Sequence, residues 1–358
     1  MAAWSLGAVG ASALLASTAA CLTSGCSTVG YYAQAATGHL ALLEAARPVP
    51  EWLADPATSA PLKERLVLSQ RIRDFAVSEL GEPDNASYRR YADLHRQAAV
   101  WNVVAAPELS LALKTWCFPV VGCVGYRGYY QRVSADALAA DLRSDTFDVS
   151  VYGVPAYSTL GRLPTGGWFA DPLLNTFIDY SEGELARLIF HELAHQVVFV
   201  PGDTLFNESF ASTVEKIGAK RWLARHGDAA ARSEYDRIEA RRADFAALTG
   251  RYRDEFLALY ASAASDADKR AGKAELLARL RADYAVLKAS RWGGYAGYDG
   301  WFGRANNAAF GILVSYTGLV PAFERMFERE GRDFGRFYGE VRRVAALAPA
   351  ERRAVLER

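Results

Sequence analysis

Net charge is missing from this sequence. Lys plus Arg and Asp plus Glu each number 41 in 358 residues, and no long block of either sign occurs. A nucleic-acid groove or a polybasic membrane patch needs clustered cations; neither is expected, and substrates are to be recognised by local geometry rather than by long-range steering. No stretch is rich enough in Gly or Ser to mark an internal linker. Charged side chains are absent altogether before Glu44, and histidine and cysteine are scarce, at five and four. What the chain has is apolar bulk: 51% of its residues are hydrophobic, enough at this length to bury one large core or two modest ones.

The uncharged N-terminus contains an apolar stretch, Leu6 to Ala20, that is too short and too rich in small residues for a spanning helix. A signal peptide over residues 1–25 fits better, although the Lys or Arg that normally opens one is missing. Leu22-Thr23-Ser24-Gly25-Cys26-Ser27 then looks like a bacterial lipobox, in which Cys26 is lipidated and becomes the new N-terminus; Cys21 is a weaker candidate. The alternatives are an ordinary apolar helix or a signal without lipid. On the lipobox reading the protein touches the membrane only through that N-terminal anchor. Export also bears on Cys117 and Cys123, where Pro119 and Gly122 can fold the chain back and an oxidising compartment permits a disulfide. Two buried free thiols are the alternative. Neither Cys has a second pair at metal-ligand spacing, so no zinc knuckle is expected.

Helical patterns run over Tyr31 to Ala46, Leu62 to Leu80 and Tyr88 to Val104, punctuated by prolines. Val120 to Tyr130 reads as strand or loop, Ser134 caps a short helix to Arg143, and Phe147 to Tyr152 alternates as a half-buried strand. From Ser181 onward the chain is almost wholly helical. A stripe through Tyr235, Phe245, Tyr252 and Phe256, then a second through Leu276, Leu280 and Tyr284, predicts a helical hairpin at about 228–288 packed on the core. The aromatic, Gly-rich segment from Trp292 to Phe302 suits either a wall of a cleft or plain loop packing. Short helices around Ala308 to Tyr316, Pro321 to Arg329 and Phe334 to Leu347 finish the chain.

Ser181 and Glu184 form the pattern of a capping box, so a helix should begin there and run through His191-Glu192-Leu193-Ala194-His195. Residues four apart lie one above the other on a helix, so His191 and His195 can share a cation while Glu192 leans over its open side. That is the arrangement of a zinc hydrolase: imidazole ligands, an open position, and a carboxylate free to move protons. Two His on an ordinary amphipathic helix are the bland alternative. A third ligand is needed, and the metzincin pattern is excluded because its Gly and His would fall at Val198 and Pro201. Pro201-Gly202 breaks the helix, and Asp203 or Thr204 can cap a second one. If that helix folds back antiparallel, Glu208 comes opposite the two His, and Glu215, two turns on, can hydrogen-bond a ligating His from behind. Asp203 is the other candidate ligand, more easily explained as a cap.

The runs Ile189-Phe190-His191-Glu192-Leu193-Ala194-His195-Gln196 and Gly202-Asp203-Thr204-Leu205-Phe206-Asn207-Glu208-Ser209-Phe210-Ala211 resemble those of the "putative aminopeptidase" lipoproteins of Gram-negative bacteria. So do Trp116-Cys117-Phe118-Pro119 with Gly122-Cys123, Tyr157-Ser158-Thr159-Leu160-Gly161, Trp168-Phe169-Ala170-Asp171-Pro172-Leu173 and Gly30-Tyr31-Tyr32-Ala33-Gln34-Ala35. The likeness covers nearly all of the mature chain and departs from it at Arg162 to Gly167, an insertion before Trp168. It implies a mainly α, α+β fold, with a zincin-like metallopeptidase core, a small sheet and many surrounding helices, forming one catalytic domain over 26–358. It implies one zinc ion of the gluzincin kind on His191, His195 and Glu208, with Glu192 as general base, a peptide substrate, and a place in the Gram-negative cell envelope, lipid-anchored and facing the periplasm or at the outer membrane. The developing oxyanion needs a second donor; Tyr157 is the first choice and Tyr316 the second, each otherwise explained as packing. Asn306 and Asn307 read as helix caps, with substrate binding as the minority view. Aminopeptidase action follows from the resemblance. An endopeptidase or carboxypeptidase of the same chemistry, and a non-catalytic envelope lipoprotein with a structural zinc site, stay open beside it.

Overall fold

The computed structural model describes residues 26–119, 121–156, 158–160 and 169–357. The signal-peptide segment, Tyr157 and the Arg162 to Gly167 insertion lie outside them. Helix dominates and strands are confined to small sheets, the mainly α, α+β class expected.

The N-terminal half supplies all the strands. Helices α1 (Cys26–Ala45), α2 (Val49–Ala54) and α3 (Ala60–Leu80) surround β1 (Arg47–Pro48), which joins β2 (Arg90–Ala92) and β8 (Leu173–Leu174) in one sheet. A second sheet has the order β6 (Arg127–Tyr129), β3 (Val100–Pro107), β7 (Phe147–Val154), with β3 antiparallel to β7 from Val100↔Val154 to Pro107↔Phe147. Its two faces are covered by different helices. Val103, Ala105 and Val149 pack on Ala135, Ala139 and Leu142 of α4 (Arg132–Ser144), while Val104 and Ala106 pack on Ala308 and Ile312 of α10 (Asn307–Thr317). β4 (Trp116–Phe118) and β5 (Gly122–Val124) form a separate hairpin, and Cys117 and Cys123, directly opposite each other in it, are disulfide-bonded.

Two sequence-level expectations are corrected here, and one open alternative is decided. The pattern over Tyr88 to Val104 reads as helix but builds β2 and β3. A strand buried on both faces loses its alternation and becomes a continuous apolar run that periodicity cannot tell from helix; Tyr88 and His95, at φ 62° and 50°, also interrupt any helix. Ser134 does not cap α4, which starts at Arg132 after Gln131. For Trp292 to Phe302 the packing reading holds rather than the cleft wall: Trp292, Tyr298 and Phe302, the last on the short helix α9 (Asp299–Gly303), pack with Tyr252, Phe256, Leu280 and Tyr284. Those residues come from the hairpin of α7 (Ala229–Ala261) and α8 (Asp266–Ser290).

The main core is built on α5 (Glu182–Val197) and α6 (Thr204–His226), joined by α3 and by α11 (Val320–Arg329), α12 (Phe334–Ala345) and α13 (Pro349–Leu356). Phe190, Phe210, Trp222 and Phe323 are essentially fully buried there. Gly218 lets α6 press against its neighbours: a Cβ at that position would stand 2.7 Å from Leu80 and 2.8 Å from Phe190. Among the described residues no helix is long and apolar enough to cross a membrane.

Candidate metal centre

α5 turns Leu185, Ala186, Ile189, Phe190, Leu193 and Ala194 into the core, the spacing of one helical face. His191, Glu192 and His195 line the other side. The helix begins after Ser181 as expected, but the capping box does not form: the Ser181 side chain makes no cap hydrogen bond, and Glu184 is instead engaged by Arg242 of α7 at 2.9 Å. A bidentate guanidinium–carboxylate pair outcompetes the carboxylate's single bond to a backbone amide. Glu182 accepts from the Trp222 indole at 2.8 Å, so both first-turn acids tie α5 to its neighbours while favouring its N-terminal dipole.

The turn into α6 is held by side chains. Gly202 adopts φ 80° and donates to Val121 O at 2.9 Å. Asp203 accepts from Phe206 N at 3.1 Å as the cap of α6 and pairs with the buried Arg352. Its oxygens are therefore taken. Asn207 accepts from Val200 N and donates to Val200 O, both at 2.8 Å. This two-point clamp sets α6 antiparallel against α5 and brings Glu208, the next residue, over the histidines.

The result is a converging donor set. His191 Nε2 and His195 Nε2 are 3.2 Å apart. Glu208 Oε2 lies 3.2 Å from the first and 3.7 Å from the second. Three ligands on a tetrahedral zinc at 2.0–2.2 Å are separated by about 3.3 Å, so the residues fit that ion, and two imidazoles with one carboxylate suit zinc better than calcium or magnesium. Behind the site, His191 Nδ1 is 2.9 Å from Glu215 Oε2, and Glu215 is clasped by Arg187, which also binds Glu239. Burial opposes ionisation of Glu215, yet Arg187 and the His191 hydrogen bond outweigh it and bring its pKa down to about 2. Burial likewise opposes ionisation of Glu208, but His195 and His191 hold it well below the carboxylate range. Burial would lower His191; its bonds to Glu208 and Glu215 win and push it well above its ordinary value. A proton thus competes for the place a cation would take, as ligand protons generally do.

These side chains open onto a cavity of about 410 Å³. Glu192 lines it and makes no hydrogen bond to any described residue, and burial raises its pKa above the ordinary value against the pull of His191 and His195. Phe118, Val121 and Val124 of the disulfide hairpin form part of the wall. Tyr157 and the side chain of Tyr316 lie outside the described residues. Two groups that sequence reasoning missed do face the cavity. Tyr126 follows β5, and burial, with Glu208 nearby, pushes its phenol up beyond its usual range. Asn102 sits on β3. No periodicity marks either one, because tertiary contact alone brings them here. Behind the cavity, Asp171 accepts from Thr159 N at 2.9 and 3.1 Å and from the Ser158 hydroxyl at 3.2 Å; burial, opposed by those bonds, raises its pKa to about 7.

Asn306 and Asn307 are both structural, but only Asn306 is a cap as the capping reading has it. Asn306 caps α10 and donates to Val149 O at 3.0 Å; Asn307 accepts from Tyr260 at 2.8 Å and donates to Pro107 O and Glu108 O. A wider groove of about 930 Å³ between α6 and α11 is lined by Lys220, Arg325 and Arg329; no converging donor set occurs there among the described residues.

A family model described as "Putative aminopeptidase" matches residues 30–356. No curated protein and no solved structure matches the chain.

Proposed function

Because the chain belongs to the family described as "Putative aminopeptidase", we propose that it is a zinc-dependent peptidase whose metal is held by His191, His195 and Glu208 and whose general base is Glu192. The observation that carries this reading is the convergence of those three donors in a cavity that Glu192 also faces. A bound zinc ion supplies Lewis acidity, polarising the scissile carbonyl and acidifying water. Glu192 takes the proton of the attacking water on its carboxylate and passes it to the leaving amine. Tyr126 keeps its proton and donates it as a hydrogen bond to the oxyanion, a role for which its phenol is free, since it makes no hydrogen bond to a described residue. Glu215 holds His191 in one tautomer, and Arg187 keeps Glu215 ionised.

A purely structural zinc site is disfavoured by the same cavity, because a bracing site closes its coordination sphere and has no use for an unpaired Glu192. We further propose that residues 1–25 are a lipoprotein signal and that Cys26 carries the anchor at the Gram-negative envelope; labelling with a fatty-acid analogue, lost in Cys26→Ser, tests this. The enzymatic reading is tested by elemental analysis with digestion of a peptide library. One zinc per chain, peptide hydrolysis, and zinc retained without hydrolysis in Glu192→Gln are expected; full activity in that variant removes Glu192 from its role.

A further inference from the structure

We infer that the cleft anchors its substrate through an uncharged peptide unit held by the Asn102 side-chain amide, and so prefers N-blocked or internal peptide segments flanked by apolar side chains to free-amine peptides. This rests on the peptidase reading and specifies its substrate class.

A free α-ammonium entering a cavity this deep has to be paired with a carboxylate, since an unpaired buried charge is strongly disfavoured. The only carboxylates lining the cavity among the described residues are Glu192 and Glu208. Glu208 faces the two imidazoles, and Glu192 is needed for proton transfer. Asp171 stands behind the wall, fully buried, with both oxygens occupied by Thr159 and Ser158. The residues outside the described set add none: 1–25, 120, 157, 161–168 and 358 contain neither Asp nor Glu. Among the described residues, no carboxylate spare for an ammonium therefore lines the cavity.

A neutral anchor is present. Asn102 is 6% exposed, lines the cavity, and its amide makes no hydrogen bond to any described residue. Its cross-strand partner is Gly128, also in the cavity lining. A Cβ at Gly128 would come within 3.2 Å of Asn102 Oδ1 and 3.0 Å of Val100, so the glycine keeps the amide open. A carboxamide offers one acceptor and two donors, which matches the N–H and C=O of a peptide unit and does not match a cation alone. An amide that faces the cavity without a protein partner is available to pair with a peptide unit of the ligand. The surrounding wall, from Tyr31, Phe118, Val124, Tyr130 and Leu160, is aromatic and aliphatic, suited to apolar side chains on either side of the anchored unit.

The zinc-loaded full chain is assayed on one apolar peptide in two forms, acetylated and with a free amine. The acetylated form is expected to have the higher kcat/KM, by about 10-fold. Asn102→Ala should raise KM for the acetylated form by about 3–10-fold with kcat within about 2-fold, and Asn102→Asp should invert the preference. Binding of both peptides to Glu192→Gln, followed by calorimetry, should show the same order. Hydrolysis confined to the free-amine peptide, or an unchanged KM in Asn102→Ala, overturns the inference. If Glu192→Gln binds the acetylated peptide more tightly while the zinc-loaded wild type cleaves neither form, the anchor stands and the catalytic reading falls.

Discussion

The imidazole of His191 meets the Glu215 carboxylate through Nδ1 at 2.9 Å. A carboxylate can only accept, so Nδ1 carries a proton and Nε2 is left as the nitrogen that a cation can take once it displaces the proton shared with Glu208. Removing Glu215 leaves the tautomer unset and Arg187 without its main partner. Glu215→Ala is expected to weaken zinc affinity by about 10–100-fold, measured by competition with a chelator, with the helices intact by circular dichroism. Unchanged affinity would separate Glu215 from the metal.

Glu208 and Asp203 make opposite predictions. Glu208→Ala should lower bound zinc to well under one per chain. Asp203→Ala should leave zinc content unchanged but destabilise the fold by about 2–4 kcal/mol, because it removes the cap of α6 and strands the buried Arg352. Denaturant titration and elemental analysis read the two effects separately; zinc loss in Asp203→Ala would contradict the assignment of the third ligand.

The disulfide hairpin walls the cavity and rests against the α5–α6 turn, where Gly202 N donates to Val121 O at 2.9 Å. A paired Cys117→Ser, Cys123→Ser variant should loosen that wall without touching a ligand. KM is expected to rise several-fold with zinc content constant. A loss of zinc in step with activity would instead tie the hairpin to the metal.

Asp171 sets a pH dependence. Its folded pKa, about 7, lies above the ordinary 3.8, so between those values the folded state holds more protons than the unfolded one. Stability attributable to this group is therefore greatest below about pH 4 and falls as pH rises to about 7, by about 4 kcal/mol at most. The comparison is the difference in unfolding free energy between wild type and Asp171→Asn across that window. A flat difference would remove Asp171 as the origin.

The parts of the site that obey local rules were readable from sequence. His191 and His195 share a face because four residues make about one turn, and Pro201-Gly202 announced the break that returns Glu208 and Glu215 to them. The parts decided by long-range contacts were not. Ser181 and Glu184 have the spacing of a capping box, but Arg242, 58 residues on, takes Glu184. Tyr88 to Val104 has helical spacing of apolar residues, yet α4 and α10 close over both faces of β3 and make it a strand. Asn102 and Tyr126 belong to no motif and reach the cavity lined by His191, His195 and Glu208 only through the β3–β6 pairing and the loop after β5.

Arg242 bonds Glu184 and Glu239 at 2.9 and 2.8 Å, and Arg187 links Glu239 to Glu215. His191 is thus braced by a helix that contributes no donor of its own. A minimal version of the protein trimmed to α5, α6 and the sheet would keep His191, His195, Glu208 and Glu215 and still lose Glu239, the second carboxylate that fixes Arg187 against Glu215.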